Sequence, residues 1–307
     1  MGLRSGWRTL GLSAVSASIC GLLVLGGLCA VAQAQPLPVP ATYMYGTTAL
    51  ALEQNAYNAG CYFAQHQPGG NRVFMLDFGA ARADPSGGGA IDFSDVYFSN
   101  PTILTALEAA SNGVHNCYHA GLTEIAYGTN NSALSGMSDR DAMNAGYWQE
   151  QRANDLFNYQ RNNRRIAQDA AAGSDVEPSW AGKTISNDLV NGASKAADAV
   201  WYDFGSADGC PTSGSGGACN NGWGTFDVAW ASFSGTARPL PEIYYAVNAA
   251  QWAVIRRNWD AHKSGYYFAG STGSTGVGLT PQQGWDDLSA DNPGLVQRQP
   301  GTICFGC

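Results

Sequence analysis

The segment Ser174-Asp175-Val176-Glu177-Pro178-Ser179-Trp180 carries the densest acid chemistry in the chain. Asp175 and Glu177 stand two apart. On a strand both side chains leave the same face, with Cα atoms roughly 6 to 7 Å apart, while Val176 turns to the opposite face. Pro178 has no N–H to give to a central ladder, so the strand ends at Glu177 and presents it at a rim. Two carboxyls on one face resist simultaneous ionisation. One is then held protonated toward neutral pH, the state a general acid requires. Asp77, closing the run Val73 to Asp77, and Asp203, closing Ala199 to Asp203, point to the same rim. The chain has only 24 Asp and Glu, and 13% of its residues are charged, so four acids at strand ends are a concentration.

Other residues near strand ends suit the binding of a polar, ring-shaped ligand. Trp180 and Trp223 sit in polar loops and offer flat apolar faces for stacking, and Tyr127 closes another apolar run. Trp201 and Trp230 lie inside apolar runs and read as core. Asn130, in Thr129-Asn130-Asn131-Ser132, either binds hydroxyls or forms a turn into a helix. Asp203 is assigned to binding, and Asp77, Asp175 and Glu177 to catalysis.

Competing chemistries are poorer in signal. His115-Asn-Cys117-Tyr-His119 would gather three zinc ligands if it were a strand, but a bridged Cys117 is the better reading, so no metal is expected. There is no Gly-x-Ser-x-Gly elbow, and His66, His115, His119 and His262 follow no hydrolase spacing. The Gly-rich stretches Pro85 to Gly89 and Ser213 to Gly217 precede no helix, so no nucleotide cofactor is implied. Asp92, Asp95 and the pair Asp286-Asp287 read as caps or solvated loop residues.

The elements that would position these residues alternate between Arg72 and Trp285. Short, mostly apolar runs occur at Val73 to Asp77, Glu124 to Tyr127, Ala170 to Glu177, Ala199 to Asp203, Phe226 to Phe233, Glu242 to Val247 and Gly265 to Ala269. Such runs suit parallel strands covered on both faces. Helical spacing marks Thr102 to Asn112, Asp139 to Arg165, Ser186 to Ala197 and Ala249 to His262, with Ser138 and Ser186 as N-caps and Gly265 as a stop. With an eighth strand in the region Tyr57 to Gln65, the pattern predicts a single α/β domain, an irregular (β/α)8 barrel. A doubly wound open sheet is the alternative. Leu76-Asp77-Phe78-Gly79-Ala80-Ala81 and Tyr202-Asp203-Phe204-Gly205-Ser206-Ala207 echo one another at two strand ends. Six residues are too few to read as a half-barrel duplication.

Composition sets the compartment and the partners. Arg4 and Arg8, an apolar run from Leu10 to Val31, and Ala32-Gln33-Ala34 form the three parts of an export signal, residues 1–34, with the domain at 35–307. Cleavage after Ala34 would leave 273 of the 307 residues and, without the two arginines, move the net charge from −8 to −10. Such a charge, with only three Lys, argues against nucleic acid. No second apolar run of membrane length follows, so the mature chain is expected to be secreted, uninserted and monomeric. Six of the eight Cys remain after cleavage, Cys61, Cys117, Cys210, Cys219, Cys304 and Cys307, and an even count in an exported chain reads as disulfide staples. Cys210–Cys219, around a Gly/Ser-rich loop, is the safest pairing. The other four allow three connectivities.

An Asp closing a first strand and an Asp-x-Glu closing a middle strand resemble the barrels of glycoside hydrolase family 25, the lysozyme-like enzymes, and their uncharacterised secreted bacterial relatives. The resemblance implies that Glu177 is a proton donor, that Asp175 positions or stabilises the reacting centre, and that Asp77 is the first-strand acid. Phe78-Gly79 departs from the family's run after that Asp. The expectation is a secreted glycosidase-like protein acting on a polysaccharide, such as a cell-wall glycan, without cofactor. The alternative is a carbohydrate-binding barrel without turnover.

Overall fold

The computed structural model describes residues 39–66, 72–84, 87–117, 121–196, 199–263, 267–274, 278–297 and 300–304, all within a unit spanning Pro36–Cys307. The export signal, His119, Gly265, the Cys304 side chain and Cys307 lie outside the described residues.

In chain order the elements are β1 (Val39–Tyr43), α1 (Ala49–His66), β2 (Arg72–Arg82), β3 (Gly89–Ile91), β4 (Tyr97–Ser99), α2 (Asn100–Asn116), β5 (Thr123–Asn130) and α3 (Asp139–Asn162). They continue with β6 (Gln168–Asp175), α4 (Lys183–Ala196), β7 (Trp201–Asp203), α5 (Thr225–Phe233), β8 (Ala237–Pro239), α6 (Ala246–Asp260), β9 (Ser271–Ser274), α7 (Pro281–Asp291) and β10 (Pro300–Cys304). The sheet is mixed. Along the path β8-β7-β6-β5-β2-β1-β10-β9 every neighbour pair is parallel, and β3 and β4 form an antiparallel hairpin on the far end of β2. This is an α/β fold in which a helix follows most parallel strands, as right-handed crossovers require.

No ladder joins β8 to β9, so the expected eight-stranded barrel is not drawn by the strands themselves. Between the two ends run single contacts. Ala269 N donates to the Pro239 carbonyl, Thr272 N to Pro241 and Ile243 N to Thr272, each at 2.8 Å, beside an isolated parallel bridge between Glu242 and Thr272.

The pleat sorts the strands' side chains into two sets. Phe74, Leu76, Phe78, Ile125, Tyr127 and Ala170 pack against α1 and α2, while Ala172 and Trp201 pack among residues of α3 to α7. Their alternates, Val73, Met75, Ala126, Ala171, Tyr202, Phe204, Leu240 and Ala269, form a separate cluster that contains no helix residue. We call the side they occupy the inner face. Burial on both faces explains why β5 shows no polar alternation: all eight of its residues are buried.

Three expectations about the elements are corrected. The segment from Tyr57 to Gln65 is not a strand but lies within α1, where Leu52, Ala56, Ala59, Gly60, Phe63 and Ala64 are buried at helical spacing. Phe226 to Phe233 is the helix α5. Its nine residues are too apolar for the period to decide, and the missed signal was Asp227, which takes the Gly224 N–H at the helix start. Glu242 to Val247 is a loop end followed by α6. Ser138 caps α3 as expected, accepting from Asp141 N, whereas Ser186 lies inside α4.

Two disulfides join described cysteines, Cys61–Cys117 and Cys210–Cys219. The first links α1 to the end of α2. Among the described residues no helix is long and apolar enough to cross a membrane.

Helices α3 and α4 approach so closely that each needs a glycine. A Cβ on Gly146 would lie 1.9 Å from the Leu189 carbonyl oxygen, and one on Gly192 would lie 1.8 Å from that of Met143. Because the clash is with backbone, relief requires the helices to separate. Gly192→Ala is expected to cost about 1 to 3 kcal/mol and to lower the melting temperature by roughly 3 to 10 °C in calorimetry.

Candidate functional site

β6 is built from Ala170-Ala171-Ala172-Gly173-Ser174-Asp175, small residues that let helices and neighbouring strands approach from both sides. By the pleat, Ala171, Gly173 and Asp175 share the inner face, and Ser174 pairs with Asp203 across β7. After Asp175 the ladder stops, and Glu177 is held by other means. The buried Asn131 side chain accepts from Glu177 N at 3.1 Å through Oδ1, and its Nδ2 donates to the Glu177 carbonyl at 3.1 Å and to Ser186 Oγ at 3.0 Å. This amide imitates the strand that Pro178 forbids.

Glu242 joins the pair from the extended segment after β8. Carboxylate oxygens of Asp175, Glu177 and Glu242 all lie within 4.8 Å of one another. Asp175 and Glu242 are each 3% exposed, whereas Glu177 is only partly buried. Burial pushes the Asp175 carboxyl well above the usual range, and the neighbouring acids Glu242, Glu177, Asp77 and Asp203 push it further. Burial likewise lifts Glu242 to about 8, partly offset by a hydrogen bond from Tyr244. Glu177 rises to about 6, again through burial, with the hydroxyls of Ser206 and Ser179 pulling against it and Asp208 adding to it. The largest charge effects on these three carboxyls all come from other acids.

Asp77 also lies on the inner face, in register with Tyr43 of β1 and Gly128 of β5. Its Oδ1 accepts from Gly79 N at 2.8 Å, its Oδ2 has no partner, and burial raises its carboxyl to about 7. Tyr43 faces Glu242, Asp77, Asp175 and Glu177, and burial together with these four acids raises its hydroxyl's pKa. Asp77, Asp175 and Glu177 are thus brought together as expected, with Glu242, Tyr43 and Tyr244 added.

Asp203 does not join them. Although Asp-Phe-Gly recurs, Tyr202 and Phe204 belong to the inner cluster, so Asp203 turns to the helix side. Ser232 of α5 donates to its Oδ2 at 2.5 Å and Gly205 N to its Oδ1 at 3.2 Å, and burial lifts it to about 6. The shared motif is an Asp accepting from the glycine two residues on, a turn that ends both strands.

The binding residues divide similarly. Tyr127 is buried on the helix side and donates to Asn100 Oδ1 at 2.8 Å, so it does not reach the site. Trp223 is buried too, and its indole donates to the Ala181 carbonyl at 2.8 Å, which docks the Cys210–Cys219 loop on the segment following Glu177. It presents no stacking face. Asn130 stands opposite Asp175 in the ladder with its Oδ1 engaged by Ser132. Trp180 is 38% exposed, three residues beyond Glu177. Ser179 donates to Asp208 at 2.6 Å and lies 3.5 Å from Glu177 Oε2.

Glu242 was missed because it reads as the first residue of an apolar run, the wrong end of a strand for a site. The available signal was Pro239-Leu240-Pro241, which ends β8 as Pro178 ends β6. Set against family models, curated proteins and solved structures, the chain matches none.

The folded chain holds protons on Asp77, Asp203 and Glu242 that the unfolded chain, with carboxyls at their ordinary values, releases. Stability toward urea is therefore expected to be greatest near pH 4 and to fall as pH rises to about 8. Asp77→Asn should flatten that slope. A stability that rises over this range would contradict the burial of uncompensated acids.

Proposed function

We propose that this chain is a secreted hydrolase of an N-acetylated glycan, with Glu177 as the proton donor. The observation that supports it most directly is the convergence of Asp175, Glu177 and Glu242 beyond the carboxyl ends of parallel strands, where only Glu177 reaches solvent. The contacts from Pro239, Pro241 and Ile243 to Ala269 and Thr272, together with the helix-free inner cluster, favour a sheet curled into an eight-stranded barrel around that end. Two disulfides fit an oxidising compartment and an export signal over residues 1–34.

Glu177 protonates the glycosidic oxygen as the C–O bond to the leaving sugar breaks. Burial disfavours the ionised forms of its partners Asp175 and Glu242, so neither is a ready carboxylate nucleophile. The electron pair that satisfies the developing cation then comes from the substrate's own acetamido oxygen, oriented by Asp175. Water, giving its proton to the Glu177 carboxylate, next attacks the anomeric carbon and breaks that new C–O bond. Oxygens this close leave no gap of about 6.5 to 9.5 Å for the attacking water of an inverting enzyme, so the anomeric configuration is retained. Trp180 supplies a stacking face for a neighbouring sugar. A binding barrel without turnover is the second reading, favoured by the burial of Asp175 and Glu242, which leaves Glu177 as the one partly exposed acid of the three.

Purified protein should release reducing ends from chitin or peptidoglycan and not from plant glucans lacking the acetamido group. Glu177→Gln should lower kcat by about 10²- to 10⁴-fold, and the wild-type rate should fall as pH rises through about 6. Trp180→Ala should raise KM by roughly 2- to 12-fold with kcat little changed, the worth of one aromatic contact. Equal release by wild type and Glu177→Gln would remove Glu177 from its role.

A further inference from the structure

The three carboxylates that carry the proposed chemistry also have the make-up of a cation site. Asp175, Glu177 and Glu242 come from two separate segments, the end of β6 with the residues just past it and the stretch after β8, yet their oxygens fall within 4.8 Å of one another. Oxygens that share one calcium-like cation, at metal–oxygen distances of about 2.3 to 2.6 Å, lie within about 5 Å of one another, and these three do. All three donors are oxygen, and no His or Cys belongs to the set. The largest charge effects on them are all acidic: those on Asp175 come from Glu242, Glu177, Asp77 and Asp203, and those on Glu242 from Glu177, Asp77 and Asp208.

A second observation separates this set from an ordinary acidic cluster. Asp175 is 3% exposed, and its Oδ1 makes no hydrogen bond. A buried carboxyl oxygen without a partner is costly to keep, and a cation that takes the place of the proton removes that cost. Asp77, on the same face and among the acids that act on Asp175 and Glu242, also has an unpartnered oxygen, Oδ2. Glu177 is the partly exposed member, so the set opens to solvent on its side and an ion can enter there.

We infer that Asp175, Glu177 and Glu242 form a binding site for one calcium-like divalent cation. Calcium here is a ligand for the same oxygens that serve the proton, so a bound ion holds Glu177 out of acid catalysis. That consequence rests on the hydrolase reading, whereas the binding does not.

The test uses the full protein, freed of metal with a chelator. Calorimetry with CaCl2 should give one site, with Kd on the order of 10⁻³ M or tighter, the range of extracellular calcium modules. Terbium chloride should give luminescence sensitised by the nearby tyrosines, and CaCl2 should displace it. Glu242→Gln should weaken calcium binding at least tenfold, whereas Asp286→Asn, a change of equal charge on the exposed side of α7, should leave it unaltered. Circular dichroism checks that the Glu242→Gln chain is folded. Should that variant fail to fold, terbium on the wild type still decides, because it reports proximity to tyrosine directly. The absence of both calcium heat and displaceable terbium emission up to about 10⁻² M overturns the site, as does undiminished calcium binding by folded Glu242→Gln. Calcium binding without hydrolysis of any glycan supports the site and removes the hydrolase reading. Hydrolysis that calcium leaves untouched at saturation removes the shared position.

Discussion

Three carboxyl groups share a space in which burial and one another's charge oppose their ionisation. Such a set survives only if the structure around it prevents the groups from turning out to water. The inner face provides that constraint. Asp175 is fixed by a strand hydrogen-bonded on both sides, and Glu242 is pinned through backbone bonds from Glu242 N to Gly205 and from Ile243 N to Thr272. Glu177, past the end of its ladder, depends on the Asn131 amide.

Support for this arrangement comes from some distance away. Asn131 follows β5, and its side chain is held in turn by Ser186 of α4. Helix α4 sits against α3 through the paired glycines, and α3 reaches back to the sheet, where the Gln149 amide donates to the carbonyls of Tyr127 and Gly173. A chain of contacts thus runs from a helix pair on one side of the sheet to the acid on the other. The loop closed by Cys210–Cys219 adds a second support, because the Trp223 indole binds the segment that carries Glu177.

Much of this could be read in the sequence, for stated reasons. The alternation of strands and helices, the cap at Ser138 and the Asp-x-Glu-Pro ending of β6 are local signals, and local chemistry sets them. What escaped was set by tertiary contact. Asp77 and Asp203 sit in near-identical hexapeptides, yet one residue's difference in pleat phase sends them to opposite faces, and no local pattern records that phase. Trp223 lies in a polar loop and is buried nonetheless, its indole bonded to the Ala181 carbonyl of a segment distant in sequence. The helix α1 and strand β1 precede the region where alternation begins, and the shortness of β8, three residues, hid Glu242.

The bridge between Cys61 and Cys117 bears on the order in which the chain is assembled. Both cysteines precede β5. Were the chain exported from its N-terminus, as proposed above, this bond could close as soon as α2 is complete, before Asp175, Glu177 or Glu242 has entered. The covalent loop encloses β2, so the strand that carries Asp77 lies inside a closed ring that none of the other three acids belongs to. Two of the site's supports are thus covalently independent of one another: a ring that holds Asp77, and the later strands that bring the remaining acids.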